Sequence, residues 1–483
     1  MTTVLLRHAD LLVTMDAQRR TIPDGGLWIE EGVIGTVGPT ADLPPVADRV
    51  IDARGMVVLP GLVNTHHHLY QTLTRALPAV QDAELFEWLT RLYRVWGELH
   101  AEAVDVSTRV GIAELLLSGC TTTSDLLYVF PRGGDVSLDA EIAAAREMGI
   151  RFHAGRGCMS RGRSSGGLPP DEVVQDEEEI LTDSERLIAT YHDPHPYAML
   201  RIDLAPCSPF SVSRRAMEEM RDLGRRRGVR LHTHLAETLD EERYCLEVYG
   251  KRPLALMEEL GWLGPDVWFA HAVHLDASEI GRLAETGTGV AHCPSSNMRL
   301  GSGIAPIVPM IGAGVPVGLA VDGSASNDSS HMLAEARECL LLQRVRYGAS
   351  ALSVAQALEL ATLGGARVLG RDDIGCLAAG KAADLIGIRR EQLEYAGAQH
   401  DPVAALLLCS PVNVDLSIVA GQVRVEHGRL VGVDLPALIR RHNALASEMV
   451  ARAEARFGES LCGRLWRAPG PGCQAAGEPA KEA

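Results

Sequence analysis

Lysine is almost missing from this chain. Lys251, Lys381 and Lys481 are the only three in 483 residues, so arginine carries nearly all of the positive charge. Basic residues are also outnumbered, 46 Lys and Arg against 63 Asp and Glu, for a formal net charge of −17. A surface with this balance repels phosphate, which excludes nucleic acid and an anionic membrane as partners and leaves a free small molecule. The ten cysteines show no CxxC pairing and fall far below the density of a secreted disulfide scaffold. They read as buried or free thiols in a reducing cytoplasm. No secretory signal is expected, because Arg7, His8 and Asp10 break the only short apolar run near the start. The uncharged stretch 304–321 has the length of a membrane span, but Pro306, Pro309, Gly312, Gly314 and Pro316 divide it into a short helix, a turn and a Val/Leu strand.

What is present is periodicity. Short apolar runs alternate with amphipathic stretches such as Arg214, Ala216, Met217, Met220 and Leu223, the pattern of parallel strand-helix-strand units. Eight runs read as strands: 57–63, 121–126, 150–154, 199–204, 229–232, 267–270, 288–291 and 315–321. Eight such units predict an α/β fold of the (β/α)8 TIM-barrel type over 58–375, with functional residues at the C-terminal ends of the strands. Residues 1–57 and 376–435 hold short strands separated by turns, and are expected to form one small β-sandwich domain from both ends of the chain. A C-terminal helical segment is expected over 436–467, followed by a disordered Pro/Gly-rich tail over 468–483.

Polar residues at the predicted strand ends form a non-random set. His66, His67 and His68 end the first strand; side chains alternate along a strand, so His66 and His68 share a face and His67 points away. His234 and Glu237 follow the fifth strand, His271 the sixth, His292 the seventh and Asp322 the eighth. A histidine after one strand is usually a satisfied hydrogen-bonding group, but four strands of one barrel ending this way point to a metal. His66, His68, His234 and Asp322 offer three nitrogens and one oxygen, with room for a water that the metal would acidify towards neutral pH. Glu237 is placed to move protons, and His271 to orient or deprotonate the water. His232, on the face of His234, is a candidate for supporting the ligands. His274, His292 and the stretch from Ser324 to Asp328 are candidates for shaping the pocket. Barrel hydrolases with two metals often bridge them with a carboxylated lysine. No lysine precedes residue 251, so one metal is expected.

These motifs carry a resemblance. The run from Pro60 to His68, His232-Thr233-His234-Leu235-Ala236-Glu237, His292-Cys293-Pro294-Ser295-Ser296-Asn297 and Val321-Asp322-Gly323-Ser324 are similar to those of the amidohydrolase superfamily, in its branch of mononuclear cyclic-amidine deaminases. Gly375 to Leu385 is similar to the stretch where chains of that family return to the sandwich. The resemblance covers about residues 1–435. It implies His66, His68, His234 and Asp322 as ligands of one divalent ion, zinc or iron, with Glu237 as proton shuttle and His271 assisting the water. Asp322 would also accept the water's proton.

Within the branch the chain looks most like bacterial 8-oxoguanine deaminases, through Asn64 to Gln71, Ser118 to Thr122, Tyr249 to Pro253 and Thr286 to Pro294. It also resembles triazine aminohydrolases, through Phe152 to Cys158. The implied reaction is hydrolytic deamination of a purine-like ring, 8-oxoguanine to urate and ammonia, with a hydroxylated triazine or isoxanthopterin as alternative substrates. Ring-opening of a cyclic amide and a non-catalytic scaffold are weaker rivals. Gln71 is the leading candidate for a hydrogen bond to the ring, with Trp96 and Arg156 beside it. Family likeness further implies a homo-oligomer.

Overall fold

The computed structural model describes residues 2–463; the expected disordered tail, 468–483, lies outside them, as does the end of the expected helical segment. Eight parallel strands follow one another in sequence order: Leu62–Asn64, Cys120–Leu127, Arg151–Cys158, Leu200–Pro206, Leu231–Leu235, Val267–His271, Gly289–His292 and Val317–Leu319. Strands two and three are buried along their whole length, as parallel strands covered by helices must be. The seam between strands eight and one is closed by residues flanking the histidines. The Thr65 backbone N–H and hydroxyl both donate to the Leu319 carbonyl, at 3.0 and 2.9 Å. The Val321 N–H donates to the Asn64 side-chain oxygen at 2.9 Å, and the Asp322 N–H to the His66 carbonyl at 3.2 Å. The barrel is therefore locked in register where its first and last strands deliver His66 and Asp322.

Strand one departs from the expected 57–63. Met56–Pro60 pairs antiparallel with Leu385–Arg389, Leu59 facing Ile386, and the barrel strand starts only at Leu62. Pro60 has no N–H with which to continue a ladder. Gly61 packs so tightly on Thr121 that a Cβ would lie 2.0 Å from its hydroxyl oxygen. One apolar run thus serves two sheets, crossing between them at Pro60 and Gly61. The fifth strand is also displaced: it covers Leu231–Leu235, so His234 sits within it.

The other sheet has nine strands. Thr3–Val13, Thr21–Glu30, Val33–Pro39, Arg49–Asp52 and Met56–Pro60 join Leu385–Arg389, Leu416–Val419, Gln422–Glu426 and Arg429–Leu430, so both ends of the chain share it. It buries its own apolar cluster, including Leu6, Leu12, Leu27, Val58, Leu385 and Ile418. Within the stretch 304–321, helix Ile307–Ala313 precedes strand Val317–Leu319, and among the described residues no helix is long and apolar enough to cross a membrane. The helix Leu435–Phe457 is capped by Asp434, which accepts the Ala437 N–H at 3.0 Å, and stops at Gly458 in the left-handed region. Its buried stripe, His442, Leu445, Met449, Val450 and Ala453, has helical spacing and faces the helices Leu85–Trp96 and Ala101–Leu117.

Candidate metal centre and active site

The backbone is bent sharply where the strands end. Ala236, His271, Ala272 and Asp322 adopt φ values of 52°, 73°, 50° and 62°. A residue with a Cβ pays on the order of 1–3 kcal/mol for such a conformation, which persists only where neighbours enforce it. Here the Ala272 N–H is held by the Leu235 carbonyl at 3.0 Å and the Asp322 N–H by the His66 carbonyl. The bends turn Glu237, His271 and Asp322 inward over one mouth of the barrel.

Three imidazoles are oriented alike. The Nδ1–H of His68 donates to the Leu126 carbonyl at 2.7 Å, and that of His234 to the Cys207 carbonyl at 2.6 Å. His232 donates from Nδ1 to the Trp268 carbonyl at 3.0 Å, so its Nε2 must accept, and it lies 2.7 Å from His66 Nδ1. All three rings therefore present a bare Nε2 to a common point. The Nε2 of His66 is buried with no hydrogen-bond partner, and those of His68 and His234 confront each other at 3.0 Å. Two lone pairs at that distance repel unless a cation lies against them. Burial lowers the pKa of all three rings, which disfavours a proton in that role. Asp322 brings the opposite charge, its Oδ1 3.2 Å from His66 Nε2 and 3.4 Å from His68 Nε2. These four ligand atoms lie within 4.8 Å of one another. The donor set fits a divalent ion of the zinc kind. His67 faces away, its Nε2 3.0 Å from the Ser330 hydroxyl.

Asp322 is held from both sides. Its Oδ1 accepts the Gly323 N–H at 2.6 Å, and its Oδ2 accepts the Ser296 and Ser326 hydroxyls at 2.5 and 3.1 Å. Burial opposes its charge, but the adjacent His66 ring and the neighbouring His271 and His68 imidazoles hold its carboxyl well below the usual range. His271 donates from Nδ1 to Asn297 at 3.0 Å and turns Nε2 towards Glu237 at 3.6 Å and Asp322 at 3.9 Å. Burial alone would strip a proton from that ring, yet the two carboxylates outweigh it and raise its pKa. For Glu237 the balance goes the other way: burial pushes its pKa up to about 7 against the pull of His271. The turn carrying Glu237 is clamped by the buried Glu241, whose two oxygens accept the Ala236 and Glu237 N–H groups, each at 2.9 Å.

These groups open onto one cavity. His68, His234, Glu237, His271 and Asp322 line it together with the apolar Leu85, Trp88, Leu89, Phe210 and Leu300 and with Gln71, Cys207 and Ser326, and Tyr128, also in the lining, packs its ring 4.9 Å from that of His68. Gln71 lies flat against Gly323, where a Cβ would come within 1.9 Å of its side-chain oxygen. Trp96 is not brought to the cavity: it is fully buried behind Tyr70, Trp88 and Tyr93, with its indole N–H on Thr74 at 3.2 Å. Nor is Arg156, which is spent on Asp183 at 2.7 Å and Gln175 at 3.0 Å and lies over the Phe130 ring. His274 bonds the Ser302 carbonyl at 2.9 Å, and His292 is buried away from the cavity lining. Tyr128 and Cys207 directly follow strands two and four, so the strand-end rule that selects the histidines would also have selected them. Trp88, Leu85 and Leu89 carry no such signal.

The sequence model of the amidohydrolase family matches residues 57–423. The chain belongs to the amidohydrolase family. Within it, this amidohydrolase is 52% identical over 429 residues to an 8-oxoguanine deaminase of Pseudomonas aeruginosa, covering 88% of this chain and 95% of the relative. It is 38% identical over 437 residues to an isoxanthopterin deaminase from an unknown prokaryotic organism, covering 86% of this chain and 90% of the relative. Among solved structures, the atrazine chlorohydrolase of Arthrobacter aurescens TC1 complexed with zinc superposes with a TM-score of 0.88 at 36% identity, over 92% of this chain and 100% of the other.

Proposed function

We propose that this amidohydrolase deaminates a purine-like ring hydrolytically, converting 8-oxoguanine to urate and ammonia. The observation that carries the proposal is the buried trio of Glu237, His271 and Asp322 beside three bare imidazole nitrogens. A 52% identity to an 8-oxoguanine deaminase supports the choice of ring. His66, His68, His234 and Asp322 would hold one zinc ion, a choice supported by the zinc of the atrazine chlorohydrolase structure. Such an ion supplies acidification of a water at neutral pH and a fixed positive charge.

This chain's own residues do the rest. The apolar wall of Trp88, Leu89, Phe210 and Leu300 packs on the faces of a flat ring, while the Gln71 amide bonds its edge. Glu237, whose pKa near 7 lets it hold a proton at working pH, delivers that proton to the ring nitrogen next to the amine-bearing carbon. Asp322 Oδ2 takes the proton lost by the attacking water and returns it to the leaving amine. A C–O bond forms, the water's second proton returns to Glu237 as that oxygen becomes a carbonyl, the C–N bond breaks, and ammonia departs. His271 fixes the geometry between the two carboxylates. Among the described residues the cysteines are unpaired, which supports action in a reducing cytoplasm on a free small molecule, and family likeness supports a homo-oligomer.

Ammonia release from 8-oxoguanine, guanine, isoxanthopterin and a hydroxylated triazine, on protein of measured metal content, tests the proposal. The highest kcat/KM is expected on 8-oxoguanine, with urate as product; a higher value on the triazine or the pterin would overturn the choice of ring.

A further inference from the structure

The chemistry proposed above makes no use of the helix Leu435–Phe457, and the family match ends before it, at residue 423. Yet its buried face packs on the elements that carry the substrate side of the cavity, the turn Leu69–Thr74 and the helix Leu85–Trp96. His442 is 7% exposed, and its Nε2 lies 2.9 Å from the hydroxyl of Thr72, the neighbour of Gln71 in the short helical turn Leu69–Thr74. That hydroxyl also reaches the Leu69 carbonyl at 3.1 Å and the Ser107 carbonyl at 3.4 Å, so it can donate to a carbonyl while accepting from the ring. Burial, reinforced by Arg75, lowers the His442 pKa to about 4, leaving the ring neutral.

The residues after the helix hold the rest of the wall. Beyond Gly458 the chain folds back, fixed by Glu454, which accepts the N–H groups of Leu461 and Cys462 at 2.7 and 3.0 Å. Leu461 is buried, and its carbonyl accepts the Ala79 N–H at 3.1 Å. Glu459 pairs with Arg94. Both contacts fall on the stretch that presents Leu85, Trp88 and Leu89 to the cavity. Among the described residues, no hydrogen bond or ion pair of residues 435–463 reaches a metal-site histidine, Asp322 or Glu237.

We propose that residues 435–461 form a brace that sets the substrate wall, with His442 a positioning residue that holds the Gln71 turn through Thr72. The proposal rests on the cavity being the substrate site, and its test has a readout that needs no substrate. Full-length, metal-loaded wild type, His442→Ala and Thr72→Val are compared by amide hydrogen exchange, metal content and steady-state kinetics. Losing the contact should speed exchange over residues 69–74 about tenfold in both variants, with residues 231–237 and 317–322 unchanged and one metal ion retained. On the best substrate KM should rise about tenfold while kcat stays within about twofold. His442→Gln, whose amide can still donate to Thr72, should restore both. Unchanged exchange over 69–74 in the alanine and valine variants, or metal loss accompanying the KM change, would overturn the brace. If no ring is turned over, the reading of the activity fails, while the exchange pattern still decides the brace.

Discussion

The two sides of the cavity are built differently. On the metal side every group sits in a barrel strand or within four residues of its end, and the three ligand rings are fixed by the Leu126 and Cys207 carbonyls and by His232. On the substrate side the wall comes from the turn Leu69–Thr74, the helix Leu85–Trp96 and loop residues such as Phe210 and Leu300, held by packing and by the C-terminal segment. Hydrogen bonds at the barrel rim fix the orientation of the rings on the metal side. A wall of loops and helices leaves the other side free to change its contacts without disturbing the chemistry.

Four substitutions separate the two sides. Glu237→Gln keeps the side-chain volume but cannot carry the proton, so kcat should fall about a thousandfold while one metal ion per chain remains by elemental analysis. A metal-replete variant with full activity would remove Glu237 from the chemistry. His232→Phe preserves the stack on Trp268, whose ring centroid is 4.4 Å away, but removes the acceptor for His66 Nδ1. Metal affinity, measured by competition with a chelator, should drop about 10–100-fold. Gln71→Leu lies across the divide: KM should rise about tenfold with metal content unchanged, and metal loss there would mean that the two sides are one unit.

The smallest effect falls outside both sides. Glu335 is fully buried near the strand-seven loop, and burial raises its pKa from 4.5 to about 8, as burial raises that of Glu237, yet it does not line the cavity. The folded protein keeps a proton there that the unfolded chain releases, so stability falls as pH rises from about 4.5 through 8. Glu335→Gln has no proton to lose. Its Tm should decline less than that of wild type between pH 5 and pH 9, with kcat at pH 7 within about twofold. A large loss of kcat would show that a raised carboxyl need not face the cavity to serve the reaction.

The same contrast explains what could be read in advance. His66, His68, His234 and Asp322 were legible because strand period and chain order put polar residues at strand ends, where an apolar core offers them no purpose. Glu237 and His271 followed from the same rule. The wall was not legible, because an apolar residue facing a cavity and one facing the core have the same pattern. Trp88 and Trp96 lie eight residues apart on one buried helical face with their rings 5.4 Å apart; only the helix's placement decides that Trp88 meets the cavity. Arg156 was misleading for another reason: a guanidinium in an apolar strand suggests a ligand, but Asp183, Gln175 and the Phe130 ring neutralise it locally. The break at Gly61 escaped detection because Met56 to Asn64 is one apolar run, and two sheets use it in turn.

A deaminase that works on one ion needs one zinc per chain and no more. Titrating zinc into metal-stripped protein while following ammonia release from 8-oxoguanine tests it most directly. Activity should rise linearly and break at one ion per chain, with urate formed in step with ammonia. A break at two ions per chain, or full turnover before any zinc is added, would contradict it.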